Sequence, residues 1–320
     1  MIFLPQSMIF LSLLSPAPRL YPDPDLACVI DAEIASSWLA LADGDCADPH
    51  TVDGDFSVDL GKRSVASLQI LADGVALDGA EPCVTWDELQ RIAQKGGAWQ
   101  LFRGYEPKRI EGHSELTQRT ASLYPTPGGA PPTVVLGGFN MHRIKGEMNP
   151  AVDTRAKLDA IGRSCRGRVL DVCTGLGYTA IAAAERAAVT SVDTIELDPL
   201  MAQIQRKNPW SAALFDDPKI TRHLADAVEL LPAFDAGSFD VVVHDPPAQA
   251  MAGELYSASF YAELRRVLRP NGILYHYIGD PSSKASGKLF RGVGQRLRDA
   301  GFGTTQTVAR AYGELAWPKR

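Results

Sequence analysis

From about residue 155 the apolar positions fall into a repeated rhythm. A short run of β-branched and aliphatic residues is followed each time by a stretch in which apolar residues recur every three or four places. "GRVLDVCT" precedes "YTAIAAAERA", "SVDTIELD" precedes "PLMAQIQRKN", and "KITRHLAD" precedes "AVELLPAF". "FDVVVHDPP" then precedes "ASFYAELRRVLRPNG", and "GILYHYIG" precedes "KLFRGVGQRLRDAGF". Period-two runs alternating with period-3.6 runs predict an α/β fold: an open, mostly parallel sheet with helices on both faces. Val241, Val242 and Val243 form an unbroken apolar run, the mark of a strand buried on both sides. Pro246 and Pro247 forbid further pairing, which leaves His244 and Asp245 at that strand's carboxyl end.

Residues 25–140 follow a different pattern. "FSVDLG", "SLQILADGVAL", "AWQLFRG", "ASLYPT" and "TVVLGGF" are short strand-like runs cut by Gly, Pro and Asp. One helix is expected at "TWDELQRIAQK", with Thr85 as N-cap and Glu88 three residues on as its capping-box partner. The reading is a small, mainly β domain over 25–140, in which "PTPGGAPP" (125–132) is a loop. The second domain is 141–320. The acidic "DGDCADPHTVDGD" (43–55) fails the calcium-loop pattern, because Asp48 and Gly54 occupy the places that need Gly and Glu. It reads as a solvated loop.

Composition adds bounds. The apolar share of 45% and charged share of 22% are those of a globular chain. A net charge of -6 argues against a protein that lives on bulk nucleic acid. The five cysteines include no Cys-x-x-Cys pair, which fits reduced thiols and a cytoplasmic location. Residues 1–24 are apolar but interrupted by Pro5, Gln6 and Ser7, with no basic residue before Arg19. They read as an apolar arm or a mis-called start rather than a signal or a membrane span.

In open α/β sheets ligands bind outside the carboxyl ends of the strands. There the chain places Asp171, Glu196, Asp226 and Asp245. Between the first and second of these, Thr174, Gly175, Gly177 and Tyr178 make a glycine turn that opens a helix, where backbone N–H groups can approach a ligand closely. Glu196 stands 21 residues after Gly175, at a place where a carboxylate can accept both hydroxyls of a ribose. Asp171 would repel a pyrophosphate but suits a cation. A nucleoside carrying an ammonium and a sulfonium, S-adenosylmethionine, answers that description. Asp226, with Ala227 beside it, is placed to meet the adenine amino group.

These motifs resemble the class I S-adenosylmethionine-dependent methyltransferases: "VLDVCTGLG", "IELDP", "LADA" and "HDPP" stand for the cofactor loop, ribose acid, adenine site and catalytic strand end. "MHRIKG", "NPWS" and the long "HDPPAQAMAGELYSASFYAELRRVLRPNGILYHYIGDP" are similar, more narrowly, to a family of predicted, largely archaeal methyltransferases related to spermidine synthases. The resemblance implies a Rossmann-like, mostly parallel seven-stranded sheet preceded by a small mainly β domain, and a homodimer. It implies Asp245, with His244 beside it, as the group that orients or deprotonates an acceptor. Pro246, Pro247, His276 and Arg143 would line the acceptor side, Arg143 near the donor's carboxylate. No metal is expected. A small amine is the expected acceptor; RNA or a protein side chain stays open, although Ala248 replaces the aromatic clamp usual for a nucleobase.

Two other readings remain. Spermidine synthases transfer an aminopropyl group from decarboxylated S-adenosylmethionine, and their loop carries an Asp where this chain has Leu176. That difference favours the intact donor and methyl transfer. A nucleoside-binding regulatory module without turnover is the third reading.

Overall fold

The computed structural model of the protein describes residues 25–42, 48–77, 81–283 and 286–319. The expected N-terminal arm, Cys46 and part of the polar 279–288 segment lie outside those residues.

The larger body is one sheet of seven strands, β1 (Gly167–Val172), β2 (Val189–Glu196), β3 (Ile220–Leu224), β4 (Phe239–His244), β5 (Leu268–Tyr277), β6 (Phe302–Val308) and β7 (Gly313–Pro318). Their order across the sheet is β3-β2-β1-β4-β5-β7-β6. The first five run parallel, whereas β7 inserts antiparallel between β5 and β6. The expected α/β sheet is therefore present. The order reverses direction between β1 and β4, and a crevice for ligands forms at such a point.

Helices α1 (Pro150–Ile161), α2 (Tyr178–Ala184), α3 (Pro199–Lys207), α4 (Ala227–Leu230), α5 (Ala258–Val267) and α6 (Ser286–Asp299) connect or cover the strands. Their starts are written locally. Asn149 caps α1 with Pro150 following, Asp198 caps α3 with Pro199 following, and Ser257 caps α5. One face of the sheet packs Leu170, Val172 and Val242 against Phe260, Leu264 and Leu297. The other packs Val169, Val241 and Val243 against Leu158, Ile161 and Ala180. Strand β4 is thus buried on both sides, as its unbroken apolar run predicts, and β1 is buried on both sides beside it.

Residues before 141 form three further sheets, joining Leu26–Ile30, Trp99–Phe102 and Tyr105–Arg109; the four strands from His50 to Thr85; and the four from Glu111 to Asn140. The predicted helix is Trp86–Lys95, and its capping box forms between Thr85 and Glu88. Two expectations need correction. "PTPGGAPP" is a tight hairpin turn at Pro127–Gly129, with Pro125 and Thr126 ending one strand and Ala130 beginning the next. The Thr126 hydroxyl closes that turn onto the carbonyls of Ala130 and Pro131. From His50 the acidic segment is a strand rather than a loop, paired with Arg63–Leu71 through a bulge between Asp53 and Phe56. Most of its side chains face water, so it lacks the apolar alternation that marks a strand.

Among the described residues no helix is long and apolar enough to cross a membrane. Among the described residues, Cys28, Cys165 and Cys173 are in no disulfide.

Candidate active site

Register places the strand-end acids. Val172 of β1 pairs Ile195 of β2 on one side and His244 of β4 on the other. The next residues, Cys173, Glu196 and Asp245, therefore share a level just beyond the sheet. With strands about 4.8 Å apart, the Glu196 and Asp245 backbones stand roughly 10 Å from each other across β1. Asp171 lies two residues further back in β1, 1% exposed, and accepts a hydrogen bond from the Thr194 hydroxyl at 2.7 Å. Thr194 in turn meets Thr174 at 2.6 Å. Burial pushes the Asp171 carboxyl up to about 7, against the pull of the Thr194 hydroxyl.

The glycine loop needs its glycines. Gly175 and Gly177 have φ of +55° and +81°, and a Cβ on Gly177 would stand 2.2 Å from Leu214. Cys173 adopts φ +72° without being glycine, an uncommon and strained choice. The Gly175 N–H donates to Glu196 Oε2 and the Asp198 N–H to Oε1, each at 2.9 Å. Glu196 is thereby fixed in orientation, with a lone pair left on each oxygen for a diol. Burial raises its carboxyl to about 7, against those backbone donors. Asp226 caps α4 through the Val228 N–H at 2.8 Å, so its helix-capping role accounts for that residue locally. Ala227 beside it is buried. Leu197, Leu224 and Val228, at the ends of β2 and β3 and the start of α4, expose 44%, 50% and 40% of their surface. They leave apolar surface exposed beside the strand end that carries Glu196.

On the other side of β1 a chain of charges runs from Arg143 through Asp153 and Lys157 to Asp245. Lys157 of α1, 3% exposed, places its Nζ 2.5 Å from Asp245 Oδ2 and 2.9 Å from Asp153 Oδ2. Asp153 also accepts from Arg143 Nε. Arg143 donates to the Arg310 carbonyl at 3.0 Å and lies 4.2 Å over the Tyr312 ring. Burial acts to raise the Asp153 carboxyl, but Lys157 and Arg143 outweigh it and hold it below the usual range. Lys157 stays protonated: burial opposes its charge, and Asp245 and Asp153 more than restore it. Burial moves the Asp245 carboxyl upward, countered by the same ammonium. The Asp245 side chain remains 22% exposed, and its Oδ1 makes no hydrogen bond to the described residues. A sequence signal for this chain existed. Asp153 and Lys157 stand at i and i+4 of a helix whose neighbours are apolar.

His244 and His276 are fully buried, their rings 4.5 Å apart. His244 Nε2 meets the Leu255 carbonyl at 2.9 Å, and His276 Nε2 meets the Tyr261 hydroxyl at 2.8 Å. Burial depresses both, His244 to about 4, so the rings are neutral. Both rings pack inside the fold, among Tyr256, Phe260 and Tyr261. Pro246 is buried; the Pro247 carbonyl accepts from the Tyr256 hydroxyl at 2.9 Å. Among the described residues no group of three or more His, Cys, Asp or Glu is placed to hold a metal.

A glycine loop, the oriented Glu196 carboxylate, exposed apolar surface and the accessible Asp245 carboxylate thus gather at the carboxyl ends of β1, β2 and β4. Residues 135–310 match the spermine/spermidine synthase domain, and the chain belongs to that family. It is 46% identical over 234 residues to an uncharacterized protein of Methanocaldococcus jannaschii, covering 73% of this chain and 78% of that one. Over 109 residues it is 28% identical to putrescine N-methyltransferase 4 of Nicotiana tabacum, covering 33% of this chain and 28% of that relative. Over 141 residues it is 33% identical to polyamine aminopropyltransferase 2 of Streptomyces coelicolor, covering 42% of this chain and 25% of that one. The fold is similar to that of the spermidine synthase of Thermotoga maritima, with a TM-score of 0.51 at 19% identity over 70% of this chain and 75% of that one.

Proposed function

We propose that the protein transfers a methyl group from S-adenosylmethionine to the nitrogen of a small amine. The observation that carries this reading is Asp245, an accessible carboxylate level with a diol-binding acid one strand beyond the glycine loop. Glu196 would take the ribose hydroxyls and the glycine turn the methionine portion of the donor. Asp171 would face the ammonium, and Leu197, Leu224 and Val228 the base, with Asp226 and Ala227 at its edge. S-adenosylmethionine, when bound, supplies a sulfonium methyl: the amine lone pair forms the N–C bond as the C–S bond breaks and a neutral thioether leaves. The residues orient the lone pair and exclude water, and Asp245 Oδ1 accepts the proton that the amine sheds. His244 and His276 support this segment by packing.

The relatives support an amine acceptor, since one is named for N-methylation of putrescine and another for polyamine aminopropyl transfer. Aminopropyl transfer remains the second reading, favoured by the family domain itself. Leu176, buried in the loop, offers no carboxylate for the amine of a decarboxylated donor. Calorimetry with both donors separates the two: we expect at least tenfold preference for S-adenosylmethionine, and the reverse preference would make this an aminopropyltransferase. Asp245→Asn is expected to bind the donor like the wild type and to lose more than a hundredfold in turnover, the usual span for a lost general base. An Asp245→Asn enzyme with wild-type turnover would remove Asp245 from the mechanism.

A further inference from the structure

Resting on the amine-transfer reading, we infer that Lys157 is the positioning residue of Asp245: its ammonium pins Oδ2, so that Oδ1 alone meets the acceptor and the carboxylate meets it charged. A carboxylate turns about a broad terminal torsion, and without a partner neither oxygen is set apart. Lys157 supplies that partner from within α1, with Nζ 2.5 Å from Asp245 Oδ2 and 2.9 Å from Asp153 Oδ2. Asp153, one turn back in the same helix, is itself held by Arg143, so the ammonium bridges two fixed carboxylates. The Lys157 side chain is 4% exposed and stands 5.1 Å over the Tyr277 ring, which leaves it no route into water. The Asp245 N–H donates to the Val172 carbonyl at 3.2 Å and sets the backbone that carries the carboxylate.

The other groups around this pair do not substitute for Lys157. Arg143, also in the field of Asp245, commits Nε to Asp153 and Nη1 to the Arg310 carbonyl. Burial and Asp153 push the Asp245 carboxyl up, and Asp171 and Asp245 repel each other. Glu196, across β1, and Asp280, which accepts from Ser282 on the loop after β5, add only further negative charge. Cys173, Tyr256, Tyr275 and Tyr277 are neutral, their acid groups pushed up by burial, and burial pushes His142 down to about 4. Lys157 is thus the contact that holds Asp245 ionised against its surroundings.

The test is a carbon-13 NMR titration of the aspartate carboxyls, with the Asp245 signal assigned by its loss in Asp245→Asn. Lys157→Met should raise the Asp245 midpoint by about one pH unit or more, a tenfold change in proton affinity, whereas Lys157→Arg should keep the wild-type midpoint. In the wild type, the Lys157 ammonium nitrogen should show a step at the Asp245 midpoint that Asp245→Asn lacks. That step needs no variant at 157 and decides the matter even where Lys157→Met fails to fold. The functional arm is the ratio of wild-type to Lys157→Met kcat/KM across pH, with 1,4-diaminobutane as probe acceptor. Loss of the amine's own proton is common to both enzymes and cancels in that ratio. It should be tenfold or more on the acid side and shrink toward alkaline pH, while a merely structural defect leaves it flat. An unmoved midpoint in folded Lys157→Met, a missing ammonium step or a flat ratio overturns the inference and leaves amine transfer intact. No transfer by the wild type to this diamine or to 1-aminobutane, with the donor still bound in calorimetry, overturns the amine reading and the acceptor role of Oδ1 with it.

Discussion

Glu196 shows how one side chain ties recognition to pH. Its carboxyl stands at about 7 instead of 4.5 because burial outweighs the N–H groups of Asp198 and Gly175. If Glu196 holds the donor's ribose as proposed, only its ionised form can accept both hydroxyls, so donor affinity is expected to rise as pH climbs through about 7 and then level off. Asp171 titrates in the same range, and Glu196→Gln separates the two by weakening binding and removing the part of the slope that Glu196 contributes. Calorimetry from acid to mildly alkaline buffer reads this directly, and a flat wild-type profile would contradict it. Stability carries the opposite sign. Both folded-state values are raised, so between about 4.5 and 7 the folded protein holds protons the unfolded chain has released, and stability falls as pH rises through that window. Gly177 is a purely steric case. Gly177→Ala would keep φ at +81° and drive a methyl into Leu214, which is 1% exposed and has nowhere to withdraw. A loss of about 2 kcal/mol is expected in denaturant melts, from left-handed strain plus overpacking.

The element that holds the glycine loop lies outside it, in the turn after α3. Asn208, fully buried, donates from Nδ2 to the Tyr178 hydroxyl at 2.9 Å and to the Ser211 hydroxyl at 2.8 Å. Ser211 then donates to the Leu176 carbonyl, Gln205 to the Gly175 carbonyl, and Tyr178 to the Pro132 carbonyl of the N-terminal sheets. Asn208→Ala removes the common node and leaves buried hydroxyls underused, a cost of about 1–3 kcal/mol. It should also weaken donor binding more than Ser211→Ala, which breaks one branch; equal effects would mean that the node is not shared. The sequence displayed "NPWS" as a motif but not its purpose, because the partners lie 30 to 35 residues away in the chain. Lys157 is the same lesson at 88 residues from Asp245. Strand ends were legible because parallel strands announce themselves locally as apolar runs, and their last residues are then countable. The two C-terminal strands were less so: β6 alternates polar residues toward water at the sheet edge, and β7 reverses direction. Cys173 is a further gap, since a left-handed cysteine has no sequence signature where glycine is the usual solution.

Across the whole molecule, the two compositional halves share one core. Val29, Leu60, Ala98, Ile110, Ala121, Leu123 and Val134 pack in a single cluster with Leu176, Tyr178, Met201 and Ile204, which belong to the glycine loop, α2 and α3. Polar contacts follow the same seam. Asp198 accepts the hydroxyls of Ser114 at 2.9 Å and Thr117 at 3.0 Å, Lys62 donates to the Pro209 carbonyl at 2.8 Å, and Trp210 donates to the Leu60 carbonyl at 3.1 Å. Leu60 makes that carbonyl available by adopting φ +56°, beside Asp59 at +53°, whose carboxylate holds the Val29 N–H. A hinge between independent domains would show a thinner and wetter seam than this. Melting should therefore follow a single calorimetric transition, with the N-terminal sheets and the seven-stranded sheet unfolding together. Met201→Ala, at 4% exposure in the shared cluster, should lower that one transition by the 2–5 kcal/mol usual for a buried Met or Leu truncation. Two resolved transitions, with Met201→Ala moving only one, would show that the halves fold separately. Because the same seam grips the glycine loop, donor binding should raise the whole transition rather than a part of it. Saturating S-adenosylmethionine is accordingly expected to shift the single peak intact, and a peak that splits on donor addition would place the loop outside the shared core.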